Sequence, residues 1–60
     1  MTIQRIVNLD SDTFCEFCRW LRQSEGTTIS ELIKDSGVAQ DRMLTKFMID
    51  TGRIKSNASN

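Results

Sequence analysis

The hydrophobic residues near the N-terminus show no helical spacing, whereas those in the later segments of the chain do. From Thr2 to Leu9, β-branched and aliphatic residues show no period of three or four, and so short a run is typical of a β-strand. Residues 14–21 repeat apolar side chains at intervals of three and four, which predicts an amphipathic helix. Phe14, Cys18 and Leu21 fall on one face of this helix, with Phe17 and Trp20 beside them. We expect this helix to supply most of the aromatic core.

Capping residues set the expected ends of the helices. Asp, Ser and Thr at positions 10–13 offer N-caps to the first helix, and Gly26 suits the left-handed residue that follows its last turn. Thr28 to Glu31 has the form of a capping box, so a second, short helix begins there and stops at Gly37. A third helix is predicted from about 39–41 to Gly52. Its core positions are Met43, Leu44, Phe47 and Met48.

The rest of the chain is short and polar. Residues 53–55 are predicted to form a second short strand, and residues 56–60, rich in Ser and Asn, to be a disordered tail. The sequence therefore predicts one domain over residues 1–55. A chain of 60 residues buries only about 60% of its unfolded surface and retains roughly 3–5 kcal/mol of stability. We accordingly expect self-association, most simply a homodimer, or a bound partner.

Composition narrows the function. The chain contains no His, Pro or Tyr and only two Cys, which excludes His-based catalysis and His-containing zinc sites. We therefore expect no enzymatic activity, no metal and no cofactor. The sequence shows no signal peptide and no apolar run near the roughly 20 residues of a membrane span, and its few cysteines suit a reducing cytoplasm.

The spacing of apolar residues and glycine in residues 31–47 is the sequence pattern that says most about function. Leu32 and Ile33 form an apolar pair, Gly37 follows four residues later, Val38 comes directly after it, and Met43 lies six residues beyond Gly37. This pattern resembles a helix-turn-helix, in which the Gly adopts a positive φ and the neighbouring apolar residues are buried. The sequence departs from the usual motif at Ile33, which is larger than the common Ala, and at Ala39, which replaces a capping Ser or Thr.

The resemblance extends beyond the turn. Residues 49–54 are similar to the end of the third helix and the first wing strand of winged-helix domains. The order of the predicted elements along the chain, a strand, a helix and then the helix-turn-helix, resembles small phage regulators of the Cro kind. The implied fold is mainly α, a three-helix helix-turn-helix core with an N-terminal β-strand and a rudimentary wing strand. A strand followed by two helices is also the order of ribbon-helix-helix dimers, although neither alternating face of residues 2–9 is cleanly apolar.

The family resemblance implies a small, sequence-specific duplex-DNA-binding protein of a phage or mobile element that regulates transcription or another DNA transaction, and we expect it to be cytoplasmic. In such proteins the recognition helix, here residues 40–50, lies in the major groove. Gln40 and Arg42 would face bases, Thr45 and Lys46 phosphates, and the wing would contribute further cations. The predicted DNA-binding residues are Gln40, Arg42, Thr45, Lys46, Arg53 and Lys55.

Charge is neutral overall but uneven. Eight basic and eight acidic side chains give a net charge of 0 and an isoelectric point near 6.1, unlike most nucleic-acid binders. Residues 1–27 hold three arginines against four carboxylates, a net of −1, whereas residues 42–55 hold four cations against Asp50, a net of +3. The basic excess coincides with the predicted recognition helix and wing.

The scaffold as a whole, the two cysteines and the residues of the first helix each allow a second interpretation. The same scaffold suits a protein-interaction module that binds and inhibits or adapts a host protein, which the acidic N-terminal half and Asp41 favour. Cys15 and Cys18 form a CxxC pair, interpreted as core or interface residues, with a thiol switch or a four-cysteine metal site across a dimer as alternatives. The aromatic residues of the first helix are more typical of a core than of a base-stacking surface. Arg19 and Arg22 are more typical of a solvated helix face than of a DNA contact.

Overall fold

The computed structural model describes residues 2–55, which form helices joined by short turns and include no β-strand. The elements are α1 (Gln4–Val7), α2 (Ser11–Trp20), a π-helical continuation of α2 (Leu21–Glu25), α3 (Ile29–Leu32) and α4 (Gly37–Asp50). The expectation of a mainly helical domain is confirmed. The predictions of an N-terminal strand and a wing strand are wrong, because both segments are described and neither is a strand. The predicted disordered tail at 56–60 lies outside the described residues.

The segment predicted as an N-terminal strand is the single-turn helix α1. Ile3 and Ile6 are three residues apart, and a helical turn turns both toward the core, where Ile6 is only 1% exposed. The backbone amide of Ile3 donates to Oε1 of Gln40 on α4 at 2.9 Å, which satisfies one of the amides that precede the first turn. Within residues 2–55 no second strand exists to pair with an extended segment, and a lone strand leaves its backbone groups unsatisfied.

The segment predicted as a wing strand is a turn that closes α4. Gly52 has φ +76°, its amide donates to the carbonyl of Ile49 at 3.1 Å, and the amide of Arg53 donates to the carbonyl of Met48 at 2.8 Å. These two bonds form a Schellman motif, which satisfies the last carbonyls of the helix. Gly52 therefore stops the helix as predicted, just after its last residue Asp50, but the motif folds Arg53 back over α4 instead of leading it into a hairpin.

The first predicted helix is confirmed, with a different face buried. Phe17, Trp20 and Leu21 are buried, whereas Phe14 and Cys18 are only half-buried at the edge of the core. The π-helical turn ends at Gly26, whose φ of +66° is the left-handed conformation expected there.

The connection between α3 and α4 differs from the expected turn. The hydroxyl of Thr28 accepts from the amide of Glu31 at 3.3 Å, as predicted for the start of α3. Gly37, however, is the first residue of α4 and has no positive φ. Its missing side chain makes room for α1, because a Cβ there would lie 3.2 Å from Cγ2 of Ile3. Val38, expected in the core, is 68% exposed.

The core lies between α2 and α4 and is dominated by aromatic rings. Phe47 lies 5.1 Å from Phe17 and 5.7 Å from Trp20 between ring centroids, and the Trp20 indole N–H donates to Asp50 at 3.0 Å. The fully or nearly buried apolar residues are Ile6, Phe17, Trp20, Leu21, Leu32, Leu44 and Phe47.

Replacing the N-cap of α4 is expected to destabilise the protein measurably. The hydroxyl of Ser36 accepts from the amide of Ala39 at 3.2 Å, so Ser36→Ala should lower the free energy of unfolding by about 1 kcal/mol. Urea titration followed by circular dichroism measures this change. Ser30→Ala is the matched control: Ser30 is exposed within α3, and the change there should stay within about 0.5 kcal/mol. Equal effects of the two substitutions would contradict the capping role.

Candidate functional site

The predicted recognition helix exists as α4, but the residue expected to read bases does not face outward. Gln40 is 0% exposed. Its Oε1 accepts from the amide of Ile3, and its Nε2 donates to the carbonyls of Asp35 at 3.2 Å and Ile33 at 3.5 Å. The side chain joins α1 to the turn before α4, so its amide is not exposed for contact with DNA in this structure.

Two further side chains of α4 are engaged by α1. Arg5 donates from Nη1 to a carboxylate oxygen of Asp41 and to the hydroxyl of Thr45 at 3.2 Å. The Asp41 carboxylate, whose charge would repel a phosphate, is thus paired with an arginine 36 residues away. Thr45, predicted as a phosphate contact, is half-buried and already accepts a hydrogen bond.

Two of the predicted DNA-binding cations also have partners within the chain. Nζ of Lys46 lies 3.1 Å from a carboxylate oxygen of Glu25 at the end of the π-helical turn. Arg53 pairs with Glu16 on α2 at 2.7 Å, and its guanidinium lies 5.0 Å from the centre of the Phe47 ring. Exposed ion pairs contribute little stability, about 0–1 kcal/mol each, but these hold the cations against acidic neighbours. The basic excess of residues 42–55 is therefore largely neutralised in the folded chain.

Arg42 and Lys55 are the predicted cations that have no ion pair among residues 2–55. Both are exposed. Arg42 lies on the outward side of α4, at the edge of a shallow depression of about 450 Å³. We call this surface the α4 face; it is lined by Ser36, Val38, Ala39, Arg42, Met43 and Lys46. Its centre is apolar and its rim cationic.

A second surface on α2 was not singled out by the sequence. A depression of about 680 Å³ lies along the outer side of this helix, and we call it the α2 band; its lining residues are Phe14, Cys15, Cys18, Arg19, Arg22 and Gln23. The helical spacing of Phe14 and Cys18 was interpreted as a core pattern. Only the position of α2 against α4 shows that the buried stripe runs through Phe17, Trp20 and Leu21, leaving Phe14 and Cys18 at the surface.

The two cysteines are reduced thiols on this band, Cys15 exposed and Cys18 half-buried. Burial, and to a lesser extent the neighbouring Cys15, raises the pKa of Cys18 above its ordinary value. Cys18 is therefore a neutral thiol at pH 7 and lacks the lowered pKa of an activated nucleophile. Among residues 2–55 no three His, Cys, Asp or Glu side chains converge in a way that suits a metal ion.

Comparisons with known proteins do not assign the chain to a family. No family model, no curated protein and no solved structure matches it. Separately, none of the helices in residues 2–55 combines the length and the apolar character needed to cross a membrane.

Proposed function

We propose that this chain is a small helical protein-binding module that contacts its partner through the α4 face. The observation that carries the proposal is Val38, a β-branched apolar side chain that is 68% exposed on α4, where Asp41 and Lys46 are already paired within the chain. Met43 lies beside it half-buried, and Arg42 stands at the rim without an ion pair among residues 2–55.

This combination matches the anatomy of protein interfaces. An apolar centre that excludes water, surrounded by a polar rim with Met and Arg enriched, is typical of contact patches between proteins. Val38, Arg42 and Lys46 are spaced four residues apart, so they form one continuous stripe of α4. A helix with such a stripe suits an apolar groove with acidic edges on the partner.

The same geometry gives weak support to duplex-DNA binding. Proteins that bind DNA with useful affinity neutralise on the order of 6–10 phosphates. Of the six predicted DNA-binding residues, Gln40 is buried, and Thr45, Lys46 and Arg53 are engaged within the chain. A homodimer would then present roughly four unpaired cations from Arg42 and Lys55, too few for tight binding at physiological salt.

The first test separates partner binding from general stickiness. The full chain, immobilised, is incubated with an extract of its source cells, and retained proteins are quantified by mass spectrometry. We expect one stoichiometric protein whose retention falls at least tenfold with Arg42→Glu and with Val38→Gln. Lys34→Glu is the matched control, because Lys34 is also exposed, lies outside the α4 face and, within residues 2–55, has its ion pair with Glu31 at 3.7 Å. Equal retention by all variants would overturn the α4 face as the binding surface.

The second test addresses DNA directly. Fluorescence anisotropy with a random-sequence duplex at about 50 mM salt is expected to show no binding at micromolar chain concentrations. Salt-sensitive binding that disappears when Arg42→Ala and Lys46→Ala are combined would overturn the proposal and favour a DNA-binding module.

A further inference from the structure

The α2 band continues onto α1 as one apolar surface. Phe14 lines the depression on α2 and also a second one of about 340 Å³, which includes Val7 and Leu9. Val7 is 59% exposed, and Leu9 and Phe14 are half-buried against the core cluster. The surface lies on α1 and α2, whereas the α4 face lies on α4 and the turn before it, so the two surfaces share no residue.

Exposed charges of opposite sign flank this surface; the arginines are among its lining residues and the aspartates are not. Asp10 and Asp12 lie at the N-terminal end of α2, and Arg19 and Arg22 lie at its C-terminal end and in the π-helical turn. All four side chains are exposed and have no ion pair among residues 2–55. Glu16, the other carboxylate of α2, is paired with Arg53. The uncharged centre between the two ends contains Cys15 and Cys18.

A surface of this kind is complementary to itself. In a two-fold symmetric contact each copy presents the same patch, and residue i meets residue j while j meets i. Antiparallel packing places the arginine end of one α2 beside the aspartate end of the other. Parallel packing would place like charges together. Asp12 and Arg22 are ten residues apart, about 15 Å along the helix, so the symmetry axis falls near the level of Phe17, with Cys15 and Cys18 on either side of it.

We infer that a second copy of this chain docks on the α2 band, with the two α2 helices antiparallel and paired through Asp12 and Arg22. The contact is small: α2 and its π-helical continuation span 15 residues, about 22 Å. One helix face of this length buries less than the roughly 800 Å² per partner of a standard interface. The dimer therefore exchanges with monomer, with a dissociation constant in the micromolar range or weaker.

Sedimentation equilibrium of the purified full chain under reducing conditions tests this inference. The expected result is a reversible dimer that strengthens as salt is lowered. Arg22→Asp and Asp12→Arg should each weaken association at least tenfold, and the double variant should return to within about threefold of the wild type, because the swapped charges again meet. Lys34→Glu, outside the band, should associate like the wild type.

Circular dichroism of each variant separates loss of association from loss of folding. If Asp12→Arg unfolds the chain, Asp12→Asn and Arg22→Gln provide milder variants; each should weaken the dimer and reduce its dependence on salt. Monomer at every concentration up to about 1 mM would overturn the inference. A dimer unaffected by the charge reversals, or one lost instead with Arg42→Glu, would also overturn it. Because the experiment contains only this chain, its outcome is independent of the search for a partner of the α4 face.

Discussion

Gln40→Ala is expected to remove most of the protein's stability. The substitution leaves the buried amide of Ile3 without its acceptor and the carbonyls of Ile33 and Asp35 without the Nε2 donor. Each buried polar group left unsatisfied costs about 1–3 kcal/mol, and because these three hydrogen bonds are only part-buried we expect a total near the lower end, about 3–4 kcal/mol. A chain of this size has only about 3–5 kcal/mol of stability in all.

Thermal and urea unfolding followed by far-ultraviolet circular dichroism measure this effect. Gln23→Ala is the matched control, because Gln23 is exposed in the π-helical turn and the same substitution there should change stability by less than about 0.5 kcal/mol. A Gln40→Ala protein that unfolds at the wild-type temperature would contradict the role given to this side chain. It would also restore Gln40 as a candidate contact for an external ligand.

Phe47→Ala is the second substitution with a large expected effect. Phe47 is 0% exposed, contacts the rings of Phe17 and Trp20, and supports the guanidinium of Arg53. Removing a fully buried Phe ring typically costs about 3–5 kcal/mol, through lost burial and the cavity left behind. We expect a chain without cooperative unfolding at room temperature, whereas Phe47→Leu should remain folded but be destabilised.

The single tryptophan provides the measurement. Trp20 is 9% exposed inside this cluster, so its emission should shift to longer wavelength when the cluster opens. Phe14→Ala, measured at concentrations where the chain is monomeric, is the control, since Phe14 is only half-buried and its removal should leave a cooperative transition. A blue-shifted, cooperatively unfolding Phe47→Ala protein would show that the α2 and α4 contact is not the centre of stability.

Much of the helical framework was predictable because its signals are local. The cap at Thr28, the left-handed glycines at 26 and 52 and the helical spacing of residues 14–21 depend only on residues within a turn of one another. The exception is α1. Its four residues are too few to show a helical period, and the β-branched residues in this segment favour a strand. The helical turn forms because it buries Ile6 in the core.

The functional surface was less predictable, because exposure depends on contacts between distant residues. The positive φ expected of Gly37 follows from a family pattern, whereas in the structure the glycine leaves room for Ile3, whose Cγ2 would lie 3.2 Å from an added Cβ. The net charge of +3 over residues 42–55 can be read from the sequence. In the folded chain, however, Glu16 and Glu25 from outside this segment pair with Arg53 and Lys46 and offset much of that charge.

The sequence by itself determined that the chain is a small, mainly helical domain and where most of its helices begin and end. Capping hydroxyls, glycines and apolar spacing act through hydrogen bonds and packing within one or two turns, so their effect is visible in the order of residues. Only the tertiary structure decided that residues 4–7 are helical, that Gln40 is buried and which charges remain unpaired. Each of these depends on side chains about 30 to 40 positions apart, which meet only when α1, α2 and α4 pack together.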